Sequence, residues 1–187
     1  MSDNAFNFCP ECGRQNIRYV DNKKWLCPDC GFDLYNNVAS AVGVVLSDAQ
    51  DNVLFEVRAK NPRKGFLALP GGFTDRDETA EAAVVRECRE ETGFVPRDVT
   101  YLCSFPNDYE YKGIAYKTCD LFFMARLSAE EGTVPELIQR LCGQESEVTG
   151  FAYYKVATPE DIQKIPLAFS SAKKALTVWL EAHRIEA

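Results

Sequence analysis

From Gly72 to Phe94 the chain reads Gly-Phe-Thr-Asp-Arg-Asp-Glu-Thr-Ala-Glu-Ala-Ala-Val-Val-Arg-Glu-Cys-Arg-Glu-Glu-Thr-Gly-Phe, a turn that runs into a helical stretch loaded with carboxylate. At about 100° per helical residue, Glu87, Glu90 and Glu91 fall on one face. Two carboxylates about 5 Å apart repel by roughly 3 kcal/mol at an effective dielectric of ~20. In open water the side chains splay apart; in a cleft they need protonation, an Arg or Lys, or a hard cation. Val84, Val85 and Cys88 project away from the centre of this face, so the helix can be packed on one side and acidic on the other. The alternative is an ordinary solvated charged face. The residues upstream weigh against it. Leu67-Ala68-Leu69-Pro70-Gly71-Gly72-Phe73 predicts a short strand that breaks at a Pro-Gly-Gly turn, a loop that lets backbone approach a ligand closely. Asp75, Asp77 and Glu78 then suit the start of a helix over 78–92.

In this order Gly72, Glu78, Arg86, Glu87, Cys88, Glu90, Glu91, Gly93 and Phe94 resemble the Nudix hydrolase pattern G-x5-E-x7-R-E-U-x-E-E-x-G-U, where U is a bulky apolar residue. Cys88 is smaller than the usual Ile, Leu or Val. The stretch from Val53 to Arg58, followed by Pro62, Gly65 and Leu69-Pro70-Gly71-Gly72, is similar to the family's approach to its box. The resemblance implies that Glu87, Glu90 and Glu91 are catalytic ligands of Mg²⁺ or Mn²⁺, helped by a backbone carbonyl near Gly71. It also implies that Glu78 and Arg86 form a mainly structural ion pair. Together with Gly72 and Gly93 these make up the structural part of the box. Arg58 and Lys64 are candidates for the substrate phosphates, with Lys60 an alternative. Family members take the general base either from the box or from a late loop, where Glu145 and Glu147 are this chain's candidates. Mg²⁺ takes oxygen ligands and is commonly shared between a few carboxylates and substrate phosphates, which agrees with this assignment.

Cys9-Pro-Glu-Cys12-Gly and Cys27-Pro-Asp-Cys30-Gly are near-copies, each ending in a Gly able to take the tight turn behind two thiolates. The spacing reads as a four-Cys zinc ribbon with structural Zn²⁺. Disulfides and a rubredoxin-like iron site are the competing readings. The opening Met-Ser-Asp-Asn lacks an apolar signal segment, which favours a reducing cytoplasm over disulfides. Cys88, Cys103, Cys119 and Cys142 sit among apolar residues and read as buried thiols.

A chain of 187 residues can bury about 70% of its unfolded surface, enough for one core and a small appendage. The net charge of −7 argues against a general grip on nucleic-acid backbone, and no stretch approaches a membrane span. His183 is the single histidine, so Ser-His or Cys-His chemistry has almost no material. Two domains are expected, a zinc ribbon over 1–37 and a catalytic domain over 38–187, with Asn36-Asn37 at the junction. Strands are expected at 17–20, 24–26, 39–46, 52–58, 98–105, 115–126 and 148–156, with a short strand and loop over 67–73. Helices are expected near 78–92 and 134–142, after the Thr158-Pro159 cap, and over 167–184. This order fits an α/β (α+β) chain with the Nudix α/β/α sandwich and a mixed central sheet.

Within the family, an N-terminal zinc ribbon is typical of NADH and some flavin-dinucleotide pyrophosphatases. The NADH-specific group carries a Ser-Gln-Pro-Trp-type motif after the box, where this chain has Ser104-Phe105-Pro106-Asn107-Asp108-Tyr109-Glu110-Tyr111. Phe105, Tyr109 and Tyr111 are candidates to stack on a base, with sheet packing as the alternative. The expected function is metal-dependent hydrolysis of the phosphoanhydride in a nucleoside diphosphate linked to another moiety: NADH, FAD, ADP-ribose or similar. Two other readings stay open, a binding or regulatory module whose ribbon recognises nucleic acid or protein, and an isoprenoid diphosphate isomerase. The expected partner is a small nucleotide, with a homodimer an open possibility.

Overall fold

The computed structural model describes residues 6–144 and 146–185; the side chains of Tyr111 and of residues 183–185 fall outside that description. The chain forms two compact units, one from residues up to 39 together with 108–117, the other from 40–107 and 118 onward.

The first unit carries three short strands, β1 (Arg18–Val20), β2 (Lys24–Leu26) and β3 (Asp33–Tyr35), antiparallel in the order β1-β2-β3. Trp25 supplies its apolar body: it is buried, with Phe6 edge-on at 4.9 Å and Tyr19 at 5.2 Å between ring centroids. The sequence pattern misses β3, whose three residues are all exposed and show no alternation. Pairing with β2, which sets Leu34 opposite Trp25, makes it a strand.

The remaining strands are β4 (Ala39–Ser47), β5 (Asn52–Arg58), β6 (Leu67–Ala68), β7 (Thr100–Tyr111), β8 (Ile114–Arg126) and β9 (Val148–Lys155). They form a six-stranded sheet of order β6-β5-β4-β8-β7, with β9 paired to β5. β5 runs antiparallel to β4, β6 and β9, and a parallel bridge joins Leu67 to Leu167.

The pleat sorts the side chains into two cores. Val42, Val44 and Leu46 of β4, Leu54 of β5, and Phe123 and Ala125 of β8 face one side. There they pack on Ala83, Val84 and Cys88 of α1 (Ala80–Thr92) and on Val134 and Leu137 of α2 (Val134–Ile138). Val45, Val53, Phe55 and Phe122 face the other side. Their partners are Ile162 of α3 (Pro159–Lys164) and Ala172, Ala175, Leu176, Trp179 and Leu180 of α4 (Ser170–Ile185). Helices on both faces of the sheet make the expected α/β/α sandwich.

Several boundaries differ from expectation: α2 ends at Ile138, short of 142, and three others have a visible cause. α1 starts at Ala80 because Thr79 is its cap, accepting the Ala82 N–H at 3.2 Å, while Glu78 stays in the loop. α4 starts at Ser170 because 166–168 are extended along β6: Leu67 donates to Pro166 O and Ala168 to Leu67 O, at 3.0 and 2.8 Å. β7 continues to Tyr111, so the aromatic stretch after Ser104 lies within a long hairpin strand.

Candidate active site

α1 is anchored at its far end by Gly93, whose φ of 75° is left-handed and whose N–H donates to Arg89 O at 2.8 Å. With Val84 and Cys88 sealed in the core, the opposite face turns outward, and Arg86 is its hub. The guanidinium grips both oxygens of Glu78, each at 2.9 Å. Nη1 donates to Glu87 at 2.8 Å and Glu90 at 3.1 Å, and Nη2 also donates to Phe73 O at 3.1 Å. The fork geometry of Arg suits this task, since it offers five donors in a rigid plane. Arg86 holds Glu78 below the usual carboxylate range.

Glu91 is held differently. It is buried, and its Oε2 accepts the Gly71 N–H at 2.8 Å. The Pro-Gly-Gly loop reaches it by lying along β4, with Val42 donating to Gly72 O and Val44 to Pro70 O, at 2.8 and 2.9 Å. Gly71 sits at φ 148°, and a Cβ there would come within 2.1 Å of Val42 O. A Cβ on Gly72 would come within 2.7 Å of the Glu87 carboxylate. Both glycines are therefore required by the close approach of loop, strand and helix.

Glu56 is the group that sequence reasoning passed over. It shares the α1-facing side of β5 with Leu54, is 2% exposed, and hydrogen-bonds through its carboxyl to Glu91. Its Oε2 has no hydrogen-bond partner. The sequence signal was a single acid inside the apolar run Val53-Leu54-Phe55-Glu56-Val57. Burial, reinforced by the Glu91 charge, pushes Glu56 well above the usual carboxylate range. Burial likewise pushes Glu91 up to about 7, although hydrogen bonds from Glu56 and Gly71 oppose it. Glu87 is raised by burial, against the pull of Arg86. Glu147, on the loop before β9, adds its charge to the fields at Glu56, Glu87 and Glu91, and pairs with Lys60 at 2.7 Å. Glu145 lies outside the described residues.

The substrate candidates are more dispersed. Arg58 is half-buried, donates from Nε to Pro62 O at 3.0 Å, and lies 5.1 Å from the Phe169 ring centre. Lys64 is exposed. Phe105 packs at the edge of the α4-side core, with the Lys174 ammonium 5.6 Å from its ring centre. Tyr109 and Tyr111 belong to the part of the β7–β8 hairpin that groups with the first unit, and the side chain of Tyr111 is outside the description.

The four cysteines of the first unit converge. Their Sγ atoms all lie within 4.8 Å of one another, Cys9 to Cys30 at 3.7 Å and Cys12 to Cys27 at 3.8 Å. The two knuckles are built alike: Gly13 and Gly31, at φ 71° and 79°, donate back to Cys9 O and Cys27 O, each at 2.9 Å. Such a cluster can hold one tetrahedral metal ion. Among the described residues no carboxylate group is drawn together as tightly.

The raised carboxyls make stability fall with pH. Glu91 moves from an ordinary 4.5 to about 7 on folding, so the native protein keeps a proton that the unfolded chain releases. That contribution is complete below the unfolded value and is lost as pH rises through the folded one. The melting temperature in excess chelator should fall from about pH 5 to about pH 7.5. A melting temperature that climbs across this interval in thermal scans would contradict the assignment.

Comparison with known proteins identifies the family of the domain. The NUDIX domain family model matches residues 38–178. ADP-ribose pyrophosphatase of Methanocaldococcus jannaschii is 48% identical over 67 residues, which are 35% of this chain and 38% of that protein. The NAD-capped RNA hydrolase NudC of Deinococcus radiodurans is 28% identical over 183 residues, 97% of this chain and 59% of its own length. The chain thus spans less than two thirds of either relative. Among solved structures, the NUDIX domain of Shewanella oneidensis NrtR, complexed with ADP ribose, superposes with a TM-score of 0.59 at 23% identity, over 81% of this chain and 90% of that one. That likeness is one of fold. The family match extends over well more than half of the chain, which therefore belongs to the NUDIX domain family.

Proposed function

We propose that the chain is a metal-dependent pyrophosphohydrolase that cleaves the phosphoanhydride of a nucleoside diphosphate linked to a second moiety. The supporting observation is the surplus of carboxylate around one guanidinium: Arg86 engages Glu78, Glu87 and Glu90, while Glu91 and Glu56 lie together, buried, beyond its reach. Family membership and the names of the similar proteins point the same way, since ADP-ribose and NAD each carry a pyrophosphate between two ribose-bearing halves. We assign residues 38–187 to the catalytic domain and 1–37 to a zinc ribbon.

The donor set fits a hard divalent cation. All its side-chain ligands are oxygens, one buried oxygen of Glu56 has no partner, and Glu91 is raised towards neutrality for want of positive charge. Glu87, Glu90 and Glu91, with the Gly71 carbonyl, would hold Mg²⁺ or Mn²⁺. When bound, such an ion polarises the phosphoryl oxygens, lowers the pKa of water and neutralises the leaving phosphate. Arg86 keeps Glu87 and Glu90 apart and oriented, and the Gly71 N–H aims Glu91. Arg58 and Lys64 supply positive charge for the substrate phosphates. Glu147 takes the proton of the attacking water as one P–O bond of the anhydride breaks, leaving two phosphomonoesters. Phe105 offers aromatic surface for a base. Cys9, Cys12, Cys27 and Cys30 would hold Zn²⁺ as thiolates, a contribution of roughly 10 kcal/mol or more to folding so small a unit.

Two outcomes are expected. Glu91→Gln should lower turnover of ADP-ribose by about 100-fold or more at saturating Mg²⁺, with the melting profile retained; turnover near that of the parent would remove Glu91 from the site. Cys12→Ser should lose zinc by metal analysis and destabilise the N-terminal unit, and full zinc stoichiometry after that change would overturn the four-Cys assignment.

A further inference from the structure

We propose that Lys60 is a positioning residue for Glu147: its ammonium holds the carboxylate that takes the proton of the attacking water, and the substrate phosphates are left to Arg58 and Lys64. The inference rests on the assignment of Glu147 as general base made above. It concerns a residue outside the Gly72–Phe94 pattern.

The main chain around Glu147 is fixed first. The loop after α2 begins against the end of α1: Cys142 donates to Thr92 O at 3.2 Å, and a Cβ on Gly143 would come within 3.3 Å of Glu91 O. It closes in a turn where Glu147 and Val148 both donate to Gln144 O, at 2.8 and 3.0 Å. From there β9 pairs with β5, in even register from Asn52–Lys155 to Val57–Gly150, but with a slip of one residue that sets Arg58 opposite Val148. Such an irregularity re-aims the side chains beyond it and is frequent beside active sites. Ala59 then donates its N–H to Glu147 O at 2.7 Å. Glu147 thus sits on a loop tied to the last turn of α1 at one end and to the end of β5 at the other.

The side chain needs a hold of its own, since Glu147 is exposed and its torsions offer several staggered positions. Lys60 Nζ donates to Glu147 Oε1 at 2.7 Å. Lys60 follows directly on Ala59, so two consecutive residues grip the main chain and the carboxylate of the same acid. The two side chains are 50% and 44% exposed, and an ion pair so placed adds little to stability. Its consequence is geometric. A general base has to lie within hydrogen-bond reach of the proton it takes, and a small displacement from that position is costly in rate. An ammonium engaged by Glu147 is also a poorer partner for phosphate, which separates Lys60 from the exposed Lys64.

The test is steady-state turnover by the full chain with Mg²⁺, on ADP-ribose or whichever nucleoside diphosphate derivative the parent cleaves, alongside the melting temperature. The variants are Lys60→Met, which keeps the stem and removes the charge, Lys60→Arg, Glu147→Gln, and Lys60→Met combined with Glu147→Gln. In Lys60→Met the expected kcat is lower by about 10-fold, with KM within about 3-fold of the parent and the melting temperature unchanged. Lys60→Arg should recover most of that loss. The double variant should be no slower than Glu147→Gln alone, itself down by about 100-fold or more, because the two side chains act as one unit. A raised KM with kcat kept in Lys60→Met would make Lys60 a phosphate ligand and overturn the proposal. So would a parent-like kcat in that variant, or losses that multiply in the double variant. Parent-like turnover in Glu147→Gln would remove the base and this inference with it, and a parent that cleaves no such nucleotide would remove the proposed function; both are distinguishable from a failure of Lys60.

Discussion

The four-way grip of Arg86 is the interaction on which the rest of the site depends. One guanidinium binds Glu78 with two hydrogen bonds and reaches Glu87, Glu90 and the Phe73 carbonyl as well. It ties the loop before α1 to the helix and fixes the spacing of two acids that would otherwise repel. It cannot neutralise everything around it. Glu56 and Glu91 remain inside the fold without a cationic partner of comparable closeness, and burial drives both towards the protonated form. That imbalance is the physical content of the proposed function, since a divalent cation and an anionic substrate would complete what Arg86 begins.

The scaffold makes the imbalance tolerable. α1 is sealed against β4, β5 and β8 through Ala83, Val84 and Cys88, so its acidic face is carried by a helix that cannot roll. The Pro-Gly-Gly loop is laced to β4 by two backbone hydrogen bonds, and the Gly71 and Gly72 positions leave no room for a Cβ. Stability on one face of the helix is what permits electrostatic strain on the other. Cys88 belongs wholly to the packed side: burial pushes its thiol up to about 12, which makes it an inert filler where the family's pattern has a larger apolar residue.

Much of this was legible in the sequence because it depends on short-range periodicity. The i, i+3, i+4 spacing of Glu87, Glu90 and Glu91, the glycines at 71, 72 and 93, and the twin Cys-Pro-acid-Cys-Gly knuckles are all local patterns with one sensible geometry. What escaped depends on contacts distant in the chain. Glu56 looks like a charge at the end of a strand until β9 and β6 pair with β5 and close over it. Leu167 and Ala168 scan as the start of a helix until Leu67 pairs with the Pro166 carbonyl and the Ala168 amide. β3 has no burial pattern and exists because β2 offers it a partner. The reach of Arg86 beyond Glu78 was equally hidden, since a sequence lists neighbours at helical spacing without saying which of them a long side chain will choose.

The acidic face of α1 is proposed to support cation-dependent attack of water on a pyrophosphate. Incubation in ¹⁸O-water with ADP-ribose, NADH, FAD, dinucleoside polyphosphates and nucleotide sugars, each with and without Mg²⁺ or Mn²⁺, followed by mass spectrometry of the products, addresses this directly. The account predicts that at least one of these yields two phosphate-bearing products with a single ¹⁸O in the phosphate of one, and only when the cation is present. Intact substrates throughout at saturating cation, or the same cleavage in the presence of excess chelator, would contradict it.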